Sequence, residues 1–319
     1  MERLQHVAPL RTEGTVPVMN IGLGIDSRLV LSDAEHEAVA TEAATLGYTS
    51  LWTPAGGDPF GLCARWHAAS GLETGISVLP IQSWTADRLI AETRPTFART
   101  GRRFILGVGA GNVRDRPVAS MRELASALRA ALPGAPIYLG ALGPQMLRLA
   151  GERYDGAALN WCSPEQTLWS RERVAAGALA AGRDPRAVKI HQYVRVCVDP
   201  DVPAARAALA KMVLGYAMGR PGADPTKGYR GHFTRMGFDA VLTRLESERD
   251  RGAGEDELAA GLPDALLARV GYWGAPAKAA AGFRALTAGL DTAVVRVVAA
   301  TTNGVECVRL AMRSCLRAS

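Results

Sequence analysis

Short apolar segments alternate with amphipathic segments along most of the chain. The apolar segments contain many β-branched residues, as in the run A-V-V-R-V-V at 293–298. Continuous apolar runs of this kind are typical of parallel strands that are buried on both faces. Segments with the 3.6-residue spacing of a helix face follow these runs. The pattern predicts eight strand–helix units, with strands at 16–25, 48–53, 74–81, 104–108, 137–140, 157–161, 188–198 and 292–298.

Capping residues mark several of the predicted helix ends. Ser32 and Glu35 have the spacing of a capping box, and Gly47 follows as the residue that ends the helix. Thr85 and Ser163 stand in similar positions before two later helices. The predicted helices include 32–46, 85–100, 121–132, 163–181, 203–218, 238–251, 276–288 and 306–316.

The regular alternation predicts an α/β fold, and more closely a (β/α)8 TIM barrel. Such a barrel typically takes about 250 residues and tolerates insertions, and the chain has 319. We expect an N-terminal arm at 1–15, a single barrel domain at 16–319 and an insertion at 220–262, after strand 7. An open, doubly wound sheet is the alternative. In both folds the ligand site lies at the carboxyl ends of the strands.

The most informative stretch is residues 136–151. A β-forming run ends at Gly140, and Pro144 fits the first position of a helix. The residues between them, 140–143, are small and permissive, so they predict a tight turn with backbone N–H groups free to face a ligand. An ordinary strand-to-helix turn without a ligand gives the same pattern.

The composition excludes several classes of partner. The net charge is +6, but the arginines are scattered among acidic residues, so we expect no nucleic-acid partner. No segment approaches the roughly 18 consecutive apolar residues of a membrane span. The first 15 residues lack the apolar run of a signal peptide. We expect a cytoplasmic protein without a membrane partner.

The chemistry-bearing residues form no familiar catalytic set. The five cysteines have no C-x-x-C spacing and no metal-ligand spacing with histidine, so we expect buried free thiols and no metal site. There is no G-x-S-x-G motif and no pair of acids suited to a glycosidase. The glycine cluster at 107–111 begins like a dinucleotide fingerprint but opens no helix. A flat cofactor that rests on glycine backbone is the mechanism favoured by these residues.

Four segments carry a family resemblance: T-G-I-S-V-L-P at 74–80, R-R-F-I-L-G-V-G-A-G at 102–111, L-G-A-L-G-P at 139–144 and D-G-A-A-L-N-W at 155–161. In order and spacing they resemble the bacterial luciferase-like superfamily. The branch that they resemble most is the deazaflavin (coenzyme F420)-dependent reductases and dehydrogenases. The resemblance extends from about residue 18 to 298, nearly the whole chain.

The resemblance implies a cofactor site at the strand ends. Ser77 and Val78 match a β-bulge of the family, often with a cis peptide bond, against which the cofactor ring rests. Two glycine-rich loops match backbone contacts to the ring and the phosphate. The implied cofactor-binding residues are Ser77, Val78, Gly109, Ala110, Gly111, Asn112, Gly140, Ala141, Leu142 and Gly143.

The resemblance also implies a function. We expect hydride transfer between coenzyme F420 and a small organic substrate, in a homodimer. An FMN-dependent luciferase-like monooxygenase and a non-catalytic flavin-binding barrel are the alternatives. Related sugar-phosphate dehydrogenases have an acid–histidine pair after strand two, which residues 53–58 lack. The base chemistry of those enzymes is therefore not supported here.

Three residues remain as catalytic candidates: His191, Trp161 and Tyr193. A core position is the more common role for a histidine on a strand, and packing is an equally good role for the two aromatic residues. Arginines at 88, 114 and 116 are candidates for the anionic tail of the cofactor. The insertion at 220–262 is expected to act as a mobile cover, because long insertions in compact barrels are often lids.

Overall fold

Eight parallel strands close into a barrel in the computed structural model, which describes residues 19–113 and 115–316. The barrel order is β1 to β7 followed by β9, which pairs with both β7 and β1. The closed barrel confirms the predicted fold class and excludes the open sheet. The strands are β1 Asn20–Gly24, β2 Ser50–Thr53, β3 Glu73–Pro80, β4 Phe104–Gly109, β5 Ile137–Gly140, β6 Gly156–Asn160, β7 Lys189–Val198, β8 Gly271–Gly274 and β9 Thr292–Val297.

Helices follow the strands and form the outer layer. The capping box of Ser32 and Glu35 is present, and Gly47 ends the helix in the left-handed conformation at φ 94°. The helices are α1 Asp33–Leu46, α2 Pro59–Ser70, α3 Ala86–Arg99, α4 Pro117–Ala131, α5 Pro144–Arg153, α6 Pro164–Ala180, α7 Val202–Ala217, α8 Gly228–Arg235, α9 Asp239–Asp250, α10 Glu255–Ala260, α11 Asp264–Leu267, α12 Ala279–Arg284 and α13 Val305–Leu316.

A ninth strand corrects the sequence prediction. β8 pairs with the second half of β7, from Arg195 to Val198, on the edge where β6 pairs with the first half. Its sequence, G-Y-W-G, is too short to show an alternating pattern. The helix predicted at 276–288 is also shorter, a 3₁₀ turn at Pro276–Lys278 followed by α12.

The insertion forms a second hydrophobic cluster beside the barrel. Residues 220–262 contain α8, α9 and α10, and the predicted helix at 238–251 is α9. These helices pack with α7 and α11 around buried Phe233, Phe238 and Leu242, and Trp161 belongs to the same cluster. The insertion is therefore packed onto the barrel through the end of β6.

Side chains fill the barrel interior and form the floor of any site above it. His191 lies against Trp52, with ring centroids 4.2 Å apart and edge-on geometry, and next to Tyr138. Tyr193 and Val294 continue the filling toward the carboxyl ends of the strands. A filled interior is the normal state of an eight-stranded barrel, so a ligand must bind at the mouth.

Other sequence predictions concern cysteines and membrane segments. All five cysteines are buried free thiols, as predicted. Within the described ranges, no helix is long and apolar enough to cross a bilayer, and no cluster of histidine, cysteine and acidic residues suits a metal ion. The arm at 1–15 lies outside the described residues.

Candidate active site

A bulge interrupts β3 at the mouth of the barrel. The register between β3 and β4 shifts between Ile76 and Leu79, and the Ser77–Val78 peptide bond is cis, as predicted. Ser77 and Val78 are half-buried, whereas the residues on either side of them are fully buried. The bulge therefore presents these two residues to the mouth.

Three glycines leave room for the side chain of Val78. A Cβ atom on Gly109 would lie 2.8 Å from Cγ2 of Val78, and one on Gly140 would lie 3.0 Å from the same carbon. A Cβ atom on Gly107 would lie 3.2 Å from Cγ1. The family resemblance implies that the backbone of Gly109 and of Gly140 contacts the cofactor, and this stays a prediction. In the structure the space that they leave is occupied by Val78, which forms an apolar platform.

The loop after β4 lies beside this platform. Ala110 is half-buried, whereas Gly111 and Asn112 are exposed, and Gly111 has a φ of 59°. A side chain at Gly111 would also meet Oε1 of Gln82 at 2.1 Å. The backbone conformation therefore favours glycine at this position, and contact of this loop with a cofactor stays a prediction.

The turn after β5 leads into an uncapped helix. The N–H of Ala141 is bonded to the carbonyl oxygen of Ala158 (3.2 Å), and Gly143 precedes α5 without a side-chain cap. The first N–H groups of α5 are thus free to donate hydrogen bonds to a ligand. Arg235 of α8 donates to the carbonyl oxygen of Leu142 (3.1 Å), which places a cation beside this turn.

The three catalytic candidates are all buried. His191 is fully buried beneath the mouth, and its Nε2 is 3.0 Å from Oγ of Ser77. Burial lowers the pKa of His191 to about 3, so its ring is neutral at pH 7. Tyr193 donates its hydroxyl to the carbonyl oxygen of Thr53 (3.1 Å), and burial raises its pKa to about 12. Both side chains are packed and hydrogen-bonded, and a catalytic role for either stays a prediction.

Trp161 is the third candidate, and it follows β6 with a positive φ of 56°. Its ring is 1% exposed and packs against Tyr216 and Phe233, with centroids 5.6 and 6.4 Å away. The guanidinium of Arg195 lies 3.9 Å from its ring centroid. Trp161 thus joins the barrel mouth to the insertion.

Two arginines on neighbouring strands dominate the opposite side of the mouth. Arg195 on β7 and Arg296 on β9 are direct neighbours in register, so both side chains emerge at the same level. Arg296 forms an ion pair with Asp26 at 2.6 Å and donates to the carbonyl oxygen of Ile25. Burial opposes ionisation of Asp26, but the hydrogen bond from Arg28 and the charge of Arg296 outweigh it and lower its pKa.

Arg195 has no such acidic partner within the described part of the chain. Arg195 is 3% exposed. Its Nη1 donates to Oδ1 of Asn160 and to the Tyr193 carbonyl oxygen, and its Nε is buried without a partner. Burial lowers the pKa of Arg195 to about 10. The signal in the sequence is the alternation of His191, Tyr193 and Arg195 on one face of β7.

The helix α8 lies over the ends of β5 and β6. The hydroxyl of Tyr229 accepts a hydrogen bond from Nδ2 of Asn160 (2.6 Å), and Nε2 of His232 is 3.0 Å from the carbonyl oxygen of Trp161. Arg230, which is 4% exposed, pairs with acidic residues of α9 and holds the two helices together. The insertion is in the position of a cover, and its mobility stays a prediction.

Two of the predicted rim arginines, Arg88 and Arg116, lie on the surface. Arg88 is exposed, donates to the carbonyl oxygen of Ser83 (3.1 Å) and lies 3.7 Å from the ring centroid of Trp84. Arg116 is exposed before α4. Arg114 lies outside the described residues. Their contact with a cofactor tail stays a prediction.

Two cavities open at the mouth. One of about 490 Å³ lies between α7 and the end of β9, and its lining includes Asp26, Tyr216 and Val298. A larger one of about 1130 Å³ begins at Asp26 and Thr53 and extends between α1 and α2. The mouth therefore has space beside Asp26, at the end of β1, for a ligand of substantial size.

The comparisons with known proteins agree with this architecture. The profile of the family described as luciferase-like monooxygenase matches residues 112–293, more than half of the chain. The 5,10-methylenetetrahydromethanopterin reductase of Methanolobus tindarius is 28% identical over 212 residues, which cover 54% of this chain and 64% of that protein. The chain therefore spans less than two thirds of the length of this curated relative.

Solved structures share the fold over almost the whole chain. The coenzyme F420 dependent tetrahydromethanopterin reductase from Methanopyrus kandleri has a TM-score of 0.71 at 16% identity, covering 93% of this chain and 98% of that one. An F420-dependent secondary alcohol dehydrogenase in complex with an F420–acetone adduct has a TM-score of 0.68 at 13% identity, covering 94% and 99%. At these identities the likeness shows the barrel fold alone.

Proposed function

Because the chain belongs to the luciferase-like monooxygenase family, we propose that it is an oxidoreductase that transfers a hydride between coenzyme F420 and a small organic substrate. Family membership confirms the resemblance that the four sequence segments carry. The cofactor proposal is supported by the similarity to a 5,10-methylenetetrahydromethanopterin reductase and by the F420-dependent enzymes among the fold neighbours. The observation that carries it is the half-buried Val78 platform with its three glycines.

The residues at the mouth fit such a group. Val78 offers an apolar surface to a flat ring, and Ser77 beside it is held from below by His191. The uncapped start of α5 and Arg235 provide N–H donors and a positive charge for a phosphate. When bound, a deazaflavin supplies a ring carbon that gives or accepts a hydride.

The chain's own residues then contribute positioning and shielding. His191 is neutral at pH 7 and fixes Ser77, so the platform keeps one orientation. The helix α8 covers the ends of β5 and β6, which limits the access of water to this side of the mouth. Asp26 is engaged by Arg28 and Arg296, so it serves charge pairing and not proton transfer.

The test is a direct comparison of cofactors. The protein is titrated separately with F420 and with FMN, and binding is followed by absorbance and tryptophan fluorescence. We expect F420 to bind at least tenfold more tightly than FMN. Tighter binding of FMN would favour the monooxygenase alternative, and binding of neither cofactor would favour a barrel without flavin chemistry.

A further inference from the structure

Arg195 is a buried cation with unused hydrogen-bond donors at the mouth of the barrel. Its residue is 3% exposed, and its Nε is buried without a partner. We propose that Arg195 binds a carboxylate group of the second substrate, so that the protein acts on small organic acids. This inference rests on the proposed F420-dependent function, because it names the substrate class of that reaction.

The donors left free are those that meet a carboxylate side-on. Nη1 is occupied by Asn160 and by the Tyr193 carbonyl oxygen, whereas none of the hydrogen bonds of Arg195 uses Nε or Nη2. These two groups point in parallel from one edge of the guanidinium, and a carboxylate receives them as two parallel hydrogen bonds. The ring of Trp161 lies 3.9 Å from the guanidinium carbon and fixes its plane.

The surroundings of Arg195 favour an anion. The groups that face it are Tyr193 on its own strand, Arg296 on β9, Tyr216 on α7 and Tyr229 on α8. Because the hydroxyl of Tyr229 accepts from Asn160, its own proton is free to be donated. No carboxylate of the described residues forms an ion pair with this arginine. The neighbours of Arg195 are therefore a second cation and three tyrosines, and none of them brings a carboxylate.

A purely structural role does not explain this arrangement. Arg230 is buried to the same degree, 4% exposed, but its donors meet Asp239, Glu246 and two threonine hydroxyls. An unpaired buried charge is strongly unfavourable, so buried arginines normally have partners of this kind. The missing partner at Arg195 is supplied by a ligand.

The position of Arg195 points to the substrate as the source of the carboxylate. In the eight-strand order, β7 lies opposite β3, which carries the Val78 platform. Arg195 therefore lies across the mouth from the residue that would support a cofactor ring, on the side where a reacting partner would bind. The proposed phosphate donors, the start of α5 and Arg235, are on the β5 side. The anionic parts of the cofactor thus have another place to bind.

The first test uses the full chain without substitution. The protein is labelled with ¹⁵N-arginine and titrated with acetate and with benzoate, and the methyl esters of both acids serve as neutral controls. We expect the Nε–H signal of Arg195, identified by its absence in Arg195→Lys, to shift saturably with either acid and with neither ester. The Nε–H of Arg230, which donates to Glu246, is the internal control and should not move. An Arg195 signal that no carboxylate moves overturns the proposal.

The second test separates substrate from cofactor. In Arg195→Gln and Arg195→Lys, we expect benzoate, followed by tryptophan fluorescence, to bind about 10- to 100-fold more weakly, the range of a charge-assisted hydrogen bond. F420 affinity should change less than threefold, with folding checked by circular dichroism. Equal loss of F420 and benzoate would assign the anion to the cofactor and overturn the proposal. Wild-type protein that binds benzoate at Arg195 but not F420 would refute the proposed function and leave the carboxylate site standing.

Discussion

The two sides of the barrel mouth are built in different ways. On the β3–β5 side, backbone and glycine create the surface, and one apolar side chain, Val78, fills the space. On the β6–β7–β9 side, long polar side chains create it: Arg195 and Arg296 are neighbours in register, and Arg195 donates a hydrogen bond to Asn160. The first side suits a flat group held by shape, and the second suits a group recognised by charge. This difference supports a division of the mouth between cofactor and substrate.

The β6–β7–β9 side, called the arginine side below, has two buried arginines with different partners. Arg296 and Arg195 are neighbours with nearly equal burial, 4% and 3% exposed, but only Arg296 has an acidic partner. Pairing turns a buried charge into part of the fold, whereas an unpaired buried charge lowers stability. We infer that Arg296 is retained for structure and Arg195 for binding.

The largest expected effects follow from replacing each arginine by methionine. Arg296→Met leaves the buried side of Asp26 without its partner, and should lower the free energy of unfolding by about 3 kcal/mol. Arg195→Met removes an unpaired charge and keeps the packing on Trp161. This substitution should raise the free energy of unfolding by about 1 kcal/mol. Urea unfolding measures both. Destabilisation of similar size in the two variants would contradict the distinction.

The role of the β3–β5 side, the glycine side, in cofactor binding is tested by filling the space that its glycines leave. Gly140→Val brings a Cβ to 3.0 Å from Cγ2 of Val78, with two more carbons behind it, so Val78 must move. We expect F420 to bind about 100-fold more weakly, close to 2.7 kcal/mol. Gly254→Val is the matched control, because Gly254 is exposed before α10 and a Cβ atom there would meet no atom within 4 Å. If Gly140→Val leaves F420 affinity unchanged, the ring does not rest on Val78.

The free energy of unfolding should decrease at acid pH, because two histidines, His191 and His232, are buried. Burial lowers the pKa of His191 to about 3; for His232, burial outweighs its contact with the Trp161 carbonyl and lowers the pKa to about 4. The unfolded chain takes up these protons near pH 6.5, before the folded protein does, so stability falls as the pH drops below 6.5. Between pH 6.5 and 5, each histidine should account for about 2 kcal/mol. Urea unfolding of His232→Asn should show a shallower slope over this window.

The sequence predicted the fold better than the site. The barrel, the capping box at Ser32 and the helix start at Pro144 depend on local patterns, and each is observed. β8 was missed because four residues carry too little periodicity. The free donors of Arg195 depend on which side chains of distant elements come near it, from residue 160 to residue 229. No local pattern contains that information.

The roles of helix α8 in the insertion also depend on contacts with distant residues. The sequence predicts a mobile cover at 220–262, and within that segment Arg230 is buried in a network with α9. Tyr229, one residue before it, reaches Asn160 at the mouth. The same short helix therefore provides both the internal anchor of the insertion and a wall of the arginine side. Sequence could place the insertion after strand 7 but not divide these roles.

The smallest expected effect concerns the contact that joins the two sides. Ser77 on β3 and His191 on β7 meet across the barrel at 3.0 Å, directly beneath the mouth. Ser77→Ala removes this hydrogen bond and leaves the histidine ring without a polar partner, because its Nδ1 already has none. We expect the free energy of unfolding to fall by about 1 kcal/mol, the typical net value of one hydrogen bond. F420 affinity should fall only a few-fold, because the Val78 side chain and its glycines remain.

Ser83→Ala, in the connection after β3, is the matched control, since Ser83 is exposed. Equal effects of the two substitutions in urea unfolding and F420 titration would show that the contact does not couple the sides. A loss of F420 affinity confined to Ser77→Ala would show that Ser77, with its contact to His191, supports cofactor binding.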